Sequence, residues 1–297
     1  MIFQPRQFLR ALVLAAFSVF IFKLHYTGEI DKLINPKYDY TSLIAAGVFA
    51  FLFIIQLTRI WKVNDDHTGD CGCGHDHGES KPFFIRLMHY AVIALPLITG
   101  FTLSPAVLNS SVAANKGTML TKTEIAPQTE GEKEHVMTPE FQQGLADSAM
   151  PKSAYDRKMD QFKHEKRIVM NDDMFADYYD EVTSSLDHYI GKEITVKGFV
   201  HKEAGLRAHQ LVLSRFMITH CIADASLIGF LAEWNGAEQL QPDTWIEQPD
   251  TWIELEGTLD KASYNGTVIP IIRAKRWKEI SEPEQPYVYP AAINMTE

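Results

Sequence analysis

The chain has 297 residues, 46% of them hydrophobic, and carries a formal net charge of −10 at pH 7. Such a length holds roughly two domains of ordinary size. Between residues 167 and 282, 11 basic side chains stand against 19 acidic ones, a net of −8, and a surface of that sign repels phosphate backbones, so nucleic acid is excluded as a partner of this part.

Apolar residues are unevenly spread. The runs Leu9–Leu24, Leu43–Trp61 and Phe83–Val107 each approach the roughly 20 residues that cross the hydrocarbon of a bilayer as a helix. They predict three spans, at about 9–25, 41–61 and 84–104, within a membrane domain covering residues 1–108. Arg6 and Arg10 precede the first run as in a signal peptide, yet Phe22-Lys23-Leu24-His25-Tyr26 has no small-residue cleavage pattern, so the run reads as an uncleaved anchor. His25 and His89 fall near span ends, where Tyr26, Trp61 and Tyr90 fit the aromatic belt of a membrane interface.

Orientation follows from the basic residues that flank the spans. Arg6, Arg10, Arg59, Lys62, Lys81 and Arg86 lie on one side and Lys23, Lys32, Lys37, Lys116 and Lys122 on the other. The first group is larger, richer in arginine and nearer the membrane. The N-terminus is therefore expected in the cytoplasm and the C-terminal part outside it, in a multi-pass protein of the plasma membrane surrounded by lipid.

Between the second and third runs, residues 67–79 hold Cys71, Cys73, His75 and His77 at every second position, separated by Gly72, Gly74 and Asp76. Thiolate and imidazole are ligands that zinc and other transition metals prefer, and His67 and Asp76 add further donors. This is not zinc-finger spacing. It suits an open, exchangeable chelator, because alternation puts all four side chains on one face of an extended segment. A polar loop enriched in these residues by chance is the plainer alternative.

Residues 109–166 read as a polar linker with helical pieces, punctuated by Pro127, Pro139 and Pro151. Order is expected to return with a strand at Arg167–Met170 and a helix at Met174–Leu186, where Phe175, Tyr178, Val182 and Leu186 recur at helical spacing. Strands follow at Glu193–Lys202, Gln210–Ala223, Trp252–Leu259 and Thr267–Lys278, the last two joined at Asn265-Gly266, the preferred two-residue hairpin turn. The heptapeptide Gln241–Glu247 recurs unchanged as Gln248–Glu254, and the second copy is the one expected to enter a strand. One helix followed by about five strands predicts, for residues 167–282, an OB-like small β-barrel with a sandwich as the alternative; residues 283–297 form a tail.

Within this β region the stretch Arg215–Ala225 is the richest in chemistry. Regular strand geometry would point His220 and Cys221 to opposite faces, which argues against a shared metal or a Cys–His nucleophile pair. Arg215 and Asp224, with His220 and Cys221, make a second candidate polar site. No nucleophile, base and orienting group converge by spacing, so an enzyme is not expected.

Several of these pieces together resemble the YcgQ-like permease-subunit family of bacterial membrane proteins. The resemblance rests on Ser111–Gly117, Tyr189–Lys192, Gly198-Phe199-Val200, Tyr264-Asn265-Gly266 and, above all, Arg215–Ala225. It implies an accessory subunit whose partner is a multi-span permease. His220-Cys221 stands where the family pattern has two adjacent cysteines, so a role needing two thiols would not carry over, whereas a ligand role would. The expected function is thus a permease accessory subunit handling a transition metal such as zinc through its Cys/His loop. The alternative is an interaction module that docks the permease or a cell-envelope ligand, with no metal role.

Overall fold

The computed structural model describes residues 2–62, 83–109, 112–113, 149–203, 205–235, 237 and 251–294. The Cys/His loop at 67–79, most of the expected linker and the first heptapeptide copy lie outside the described residues. The chain forms two compact units: Met1–Leu33 with Tyr38–Ala106, and Ile34–Lys37 with Val107–Glu297.

The first unit opens with a short strand β1 (Ile2–Phe3) and helix α1 (Pro5–Thr27). Pro5 occupies the first turn, where its missing N–H costs nothing, and Gly28 ends the helix at φ 70°. Helix α2 (Asp39–Thr58), strand β2 (Trp61–Lys62) and helix α3 (Phe83–Thr102) follow. Strand β1 pairs antiparallel with β2, tying the start of α1 to the end of α2. Along this helical hairpin Ser18 donates to the carbonyl of Ala46 (2.9 Å), Gln56 donates to Gln7 Oε1 (2.6 Å), and Phe17 stacks on Phe49. Gly100 of α3 lets Phe20 of α1 approach, since a Cβ there would stand 2.6 Å from its ring. Among the described residues, Gln7–Thr27 and Pro36–Thr58 are long and apolar enough to cross a membrane, and Ala91–Thr102 is a shorter apolar stretch. Phe22, Phe51, Ile54 and Val92 are exposed, as apolar side chains facing lipid would be.

In the second unit, β3 (Met150–Pro151) leads into helix α4 (Lys152–His164), within the stretch expected to be a linker with helical pieces. Strand β4 (Arg167–Val169), helix α5 (Phe175–Ser184) and the short helix α6 (Leu186–Tyr189) precede β5 (Glu193–His201) and β6 (Gln210–Met217). The strand expected over Gln210–Ala223 therefore stops at Met217. A further strand, β7 (Ser226–Glu233), stands where the sequence reading placed none. Strands β8 (Trp252–Tyr264) and β9 (Thr267–Ile280) form a long hairpin, with the second heptapeptide copy entering β8 at Trp252; β10 (Tyr287–Val288) and β11 (Ile293–Asn294) close the chain.

Seven strands form one sheet in the order β10-β6-β7-β9-β8-β5-β4, and β5 also pairs with β6. Each of the five long strands β5, β6, β7, β9 and β8 thus has a partner on both sides. These pairings are antiparallel except β7–β9, where Leu231–Glu233 run parallel to Ile271–Arg273. Strand β5 keeps β8 along one edge over Glu193–Phe199, while its other edge takes β4 over Glu193–Thr195 and then β6 over Phe199–His201. The close approach of β5 and β7 to β6 needs glycine. A Cβ on Gly198 would lie 2.7 Å from the carbonyl oxygen of Ser214, and one on Gly229 would lie 2.4 Å from that of Leu213.

Alternation sorts the side chains of β6 and β7 onto two faces, both covered. Leu211, Leu213, Phe230 and Ala232 join the main core, while Val212 and Leu231 join a smaller cluster with Ile269 and Ile271. Helix α5 adds Phe175, Tyr178, Tyr179 and Val182 to the main core, and Phe162 of α4 stacks on Tyr178 with centroids 3.8 Å apart.

Candidate functional site

Leaving β6, the chain turns sharply. The Ile218 N–H donates to the carbonyl of Val288 (3.0 Å), and residues Ile222–Asp224 form a single 3-10 turn. Asp224 organises this turn: its carboxylate accepts the backbone N–H of Thr219 (3.2 Å) and His220 (2.8 Å), and the His220 ring nitrogen Nδ1 lies 2.9 Å from Oδ2. His220 and Cys221 are thus outside the strand, and the alternation that would separate them does not operate. His220, Cys221 and Asp224 come together in one turn, with Cys221 half-buried.

Arg215 belongs elsewhere. Its side chain has no exposed surface; Nη1 donates to Asp172 Oδ1 (2.7 Å), Nε to the carbonyl of Pro286 (3.1 Å) and Nη2 to that of Gln285 (3.1 Å). The guanidinium also sits 5.5 Å from the ring centroid of Phe175 and 5.2 Å from that of Trp252, within cation–π range. Burial pulls its pKa down, opposed by the bonded Asp172 carboxylate. Of the second candidate polar site, Arg215 clasps the chain between β9 and β10, and Asp224 holds the turn that carries His220 and Cys221.

The turn has a partner from far upstream. Asn35, which belongs to the same compact unit as the β region, is 2% exposed. Its N–H donates to the carbonyl of His220 (2.9 Å), and its side-chain amide reaches the carbonyls of Ile218 (3.3 Å) and Thr219 (3.1 Å). Its Oδ1 accepts the N–H of Lys37 (3.1 Å), and Ile34 bridges Cys221 antiparallel. Pro36 holds Asn35 in an extended conformation suited to that bridge. Sequence reading missed Asn35; the Asn-Pro pair, a turn-initiating dipeptide between two apolar runs, is the signal that could have flagged it.

A second missed group is Asp177 on α5. It accepts the Tyr155 hydroxyl of α4 (3.2 Å) and the Ala291 N–H of the tail (2.9 Å), and burial raises its pKa despite both bonds. It therefore joins α4, α5 and the tail, whose β11 pairs parallel with β3.

Among the described residues, no group of three or more His, Cys, Asp or Glu side chains is placed to hold a metal ion. The donor set Cys71, Cys73, His75 and His77, with His67 and Asp76, lies outside the described residues.

An apolar helical N-terminal part followed by a mainly-β domain defines the class: a two-part protein with membrane-type helices and a folded β module. Residues 9–119 match the DUF1980 N-terminal domain and residues 146–290 the DUF1980 C-terminal domain. The chain is 31% identical to the UPF0703 protein YcgQ of Bacillus subtilis, across 94% of this chain and 98% of that one. It is 23% identical to the "Putative two-component membrane permease complex subunit" of Streptococcus mutans, across 95% of this chain and 98% of the relative. The chain belongs to the YcgQ-like family of DUF1980 proteins. No solved structure matches it.

Proposed function

We propose that this protein is a non-enzymatic accessory subunit of a membrane permease complex. The observation that carries the reading is its likeness, over 95% of its length, to the Streptococcus mutans protein named as such a subunit. In this reading α1, α2 and α3 all span the plasma membrane; the 20 residues of α3 rise about 30 Å, the thickness of the hydrocarbon. The cycle of strand pairings β5-β6-β7-β9-β8-β5 supports an OB-like small barrel for the β domain.

Connectivity supports one topology within this reading. Ile34–Lys37 lie between α1 and α2 yet pack within the β unit, so that connection and the β domain share one side of the membrane. A third span returns the chain to that same side at Val107, where the β unit resumes. With the arginine-rich flanks inside, the shared side is extracytoplasmic and the Cys/His loop is cytoplasmic. There Cys71 and Cys73 stay reduced and, with His75, His77, His67 and Asp76, coordinate zinc or another transition metal transiently, releasing it on protonation or ligand exchange.

Co-expression of the tagged full chain with the multi-span permease tests the subunit role: purification should yield both at fixed stoichiometry, and recovery of the chain alone would overturn it. Asn35→Ala should lower that yield while leaving membrane insertion intact. For the metal role, isothermal titration of a peptide covering residues 65–80 should show zinc binding lost when both cysteines become serine. Affinity no tighter than about millimolar at neutral pH would end that part of the reading.

A further inference from the structure

Strand register sorts into rows the face of β4, β5, β8 and β9 that turns away from the main core. Phe199, Trp252 and Ile280 make an apolar first row. Lys197, Glu254 and Lys278 make the second, and Val169, Thr195, Glu256 and Arg276 the third. Beyond them Arg167 stands opposite Glu193, and the bulge at Glu256/Gly257 brings Lys275 to the same carboxylate.

On this face the two signs lie at different depths. Glu256 Oε2 accepts both Arg167 Nη2 (2.8 Å) and Arg276 Nη2 (2.6 Å). Glu254 lies between Lys278 (2.8 Å) and Lys197 (4.0 Å), and Glu193 accepts Lys275 (2.9 Å). The side chains of Glu254 and Glu256 are 19% and 27% exposed, whereas those of the five cations are 46% to 70% exposed. Shared carboxylates therefore form a lower layer from which ammonium and guanidinium groups stand out. Five positive groups against three negative leave this face at +2, while the rest of residues 167–282 carries −10. A depression of about 240 Å³ opens among Arg167, Lys275 and Arg276.

The first row is covered by the chain that follows α3: Val107, Leu108, Val112 and Ala113 pack with Phe199, Trp252 and Ile280. Val107 comes five residues after Thr102, the last residue of α3, so at most about 18 Å of chain links them. The turn held by Asn35 starts from Ile218 of the same cluster, so both connections from the helices enter the β unit at this end. The charged rows begin two residues further along each strand, about 7 Å away.

We infer that this face rests on the anionic phospholipid headgroups of the membrane that anchors the chain. Basic groups near such a surface are drawn to it, and the tether keeps them beside it. The inference rests on the permease-subunit reading for its spans and adds what the β domain itself touches.

The test uses the full chain with Cys71, Cys73 and Cys221 replaced by serine and one new cysteine, Val169→Cys, at an exposed position of the third row. Labelled with bimane, it is placed in nanodiscs of phosphatidylcholine, with or without about 30 mol% phosphatidylglycerol, that contain headgroup-spin-labelled lipid. Quenching should be about twofold or more stronger with the anionic lipid, and about 0.5 M salt should abolish the difference. Lys197→Gln with Lys278→Gln brings the face to neutrality and should abolish it too, whereas arginine at both positions should preserve it. The same label at Ser263→Cys, exposed at the tip of the β8–β9 hairpin, should show no such difference. Thermal midpoints identify a misfolded variant, and the arginine pair keeps the test sound if the glutamines loosen the sheet. Equal quenching in both discs, a difference that survives the glutamines, or an equal response at Ser263→Cys would overturn the inference. So would quenching by a spin-labelled oligonucleotide without quenching by lipid. Co-purification of the glutamine variant with the permease reads the subunit role separately and should persist; its loss would mark this face as a permease interface instead.

Discussion

A guanidinium with no exposed surface is tolerated only where its donors are answered. Arg215 meets that condition by taking one carboxylate and two carbonyls, those of Gln285 and Pro286, and by lying over Phe175 and Trp252. Methionine would fill much of the space but leave both carbonyls without their donor. Arg215→Met should destabilise the β domain by about 3 kcal/mol, read from the urea midpoint, with Asp172 limiting the loss because it is half-exposed and can rehydrate. Asp177 works in the opposite sense. Burial holds its folded pKa above the unfolded value of 3.8, so its contribution to stability is fully present below 3.8 and is lost as pH rises through the folded pKa. Asp177→Asn should therefore equal or exceed the native protein in stability at pH 7, and the advantage should vanish as pH falls to 3.8; denaturation of both forms across that window checks it. Arg215 is visible in the sequence as part of a dense motif. Its partners are not, because Asp172 stands 43 residues away and Gln285 and Pro286 about 70, separations that no local pattern encodes.

At the scale of elements, legibility tracks how local the controlling signal is. The β8–β9 hairpin could be read because Asn265 and Gly266, at φ 49° and 81°, are the residues such a turn demands. Nothing lies within 4 Å of a Cβ on Gly266, so Gly266→Ala isolates backbone strain and should cost about 1 kcal/mol, measured by equilibrium unfolding. The reading of β6 overran because Ile218, Thr219 and Ile222 continue a β-branched run; the Asp224 side chain, rather than propensity, bends the chain there. Strand β7 was lost in the same apolar stretch. Helix α4 falls where helical pieces were expected but not placed; its charge masks the helical spacing of Tyr155, Met159 and Phe162. Parallel pairing of β7 with β9, and of β10 with β6, depends on residues brought together across the whole domain and leaves no local trace.

At the scale of the molecule, the division into apolar helices and a mainly-β region was legible from the clustering of apolar residues. The placement of Ile34–Lys37 within the β unit makes membrane sidedness testable. In intact cells, an impermeant maleimide should label an exposed Ser263→Cys in a Cys221→Ser background while Cys71 and Cys73 react only after permeabilisation. Labelling in the reverse order would invert the topology.

The amide of Asn35 waits for carbonyls that lie 183 and 184 residues further along the chain. At the usual pace of synthesis the ribosome needs about 10 to 40 s to make that stretch, long after α1 and α2 have been produced. Once the turn exists, it is still held by Val288, nearly the last ordered strand. The clasp at Asn35 therefore closes only when nearly the whole chain has been made, so a truncated or stalled β domain leaves that amide without these carbonyls.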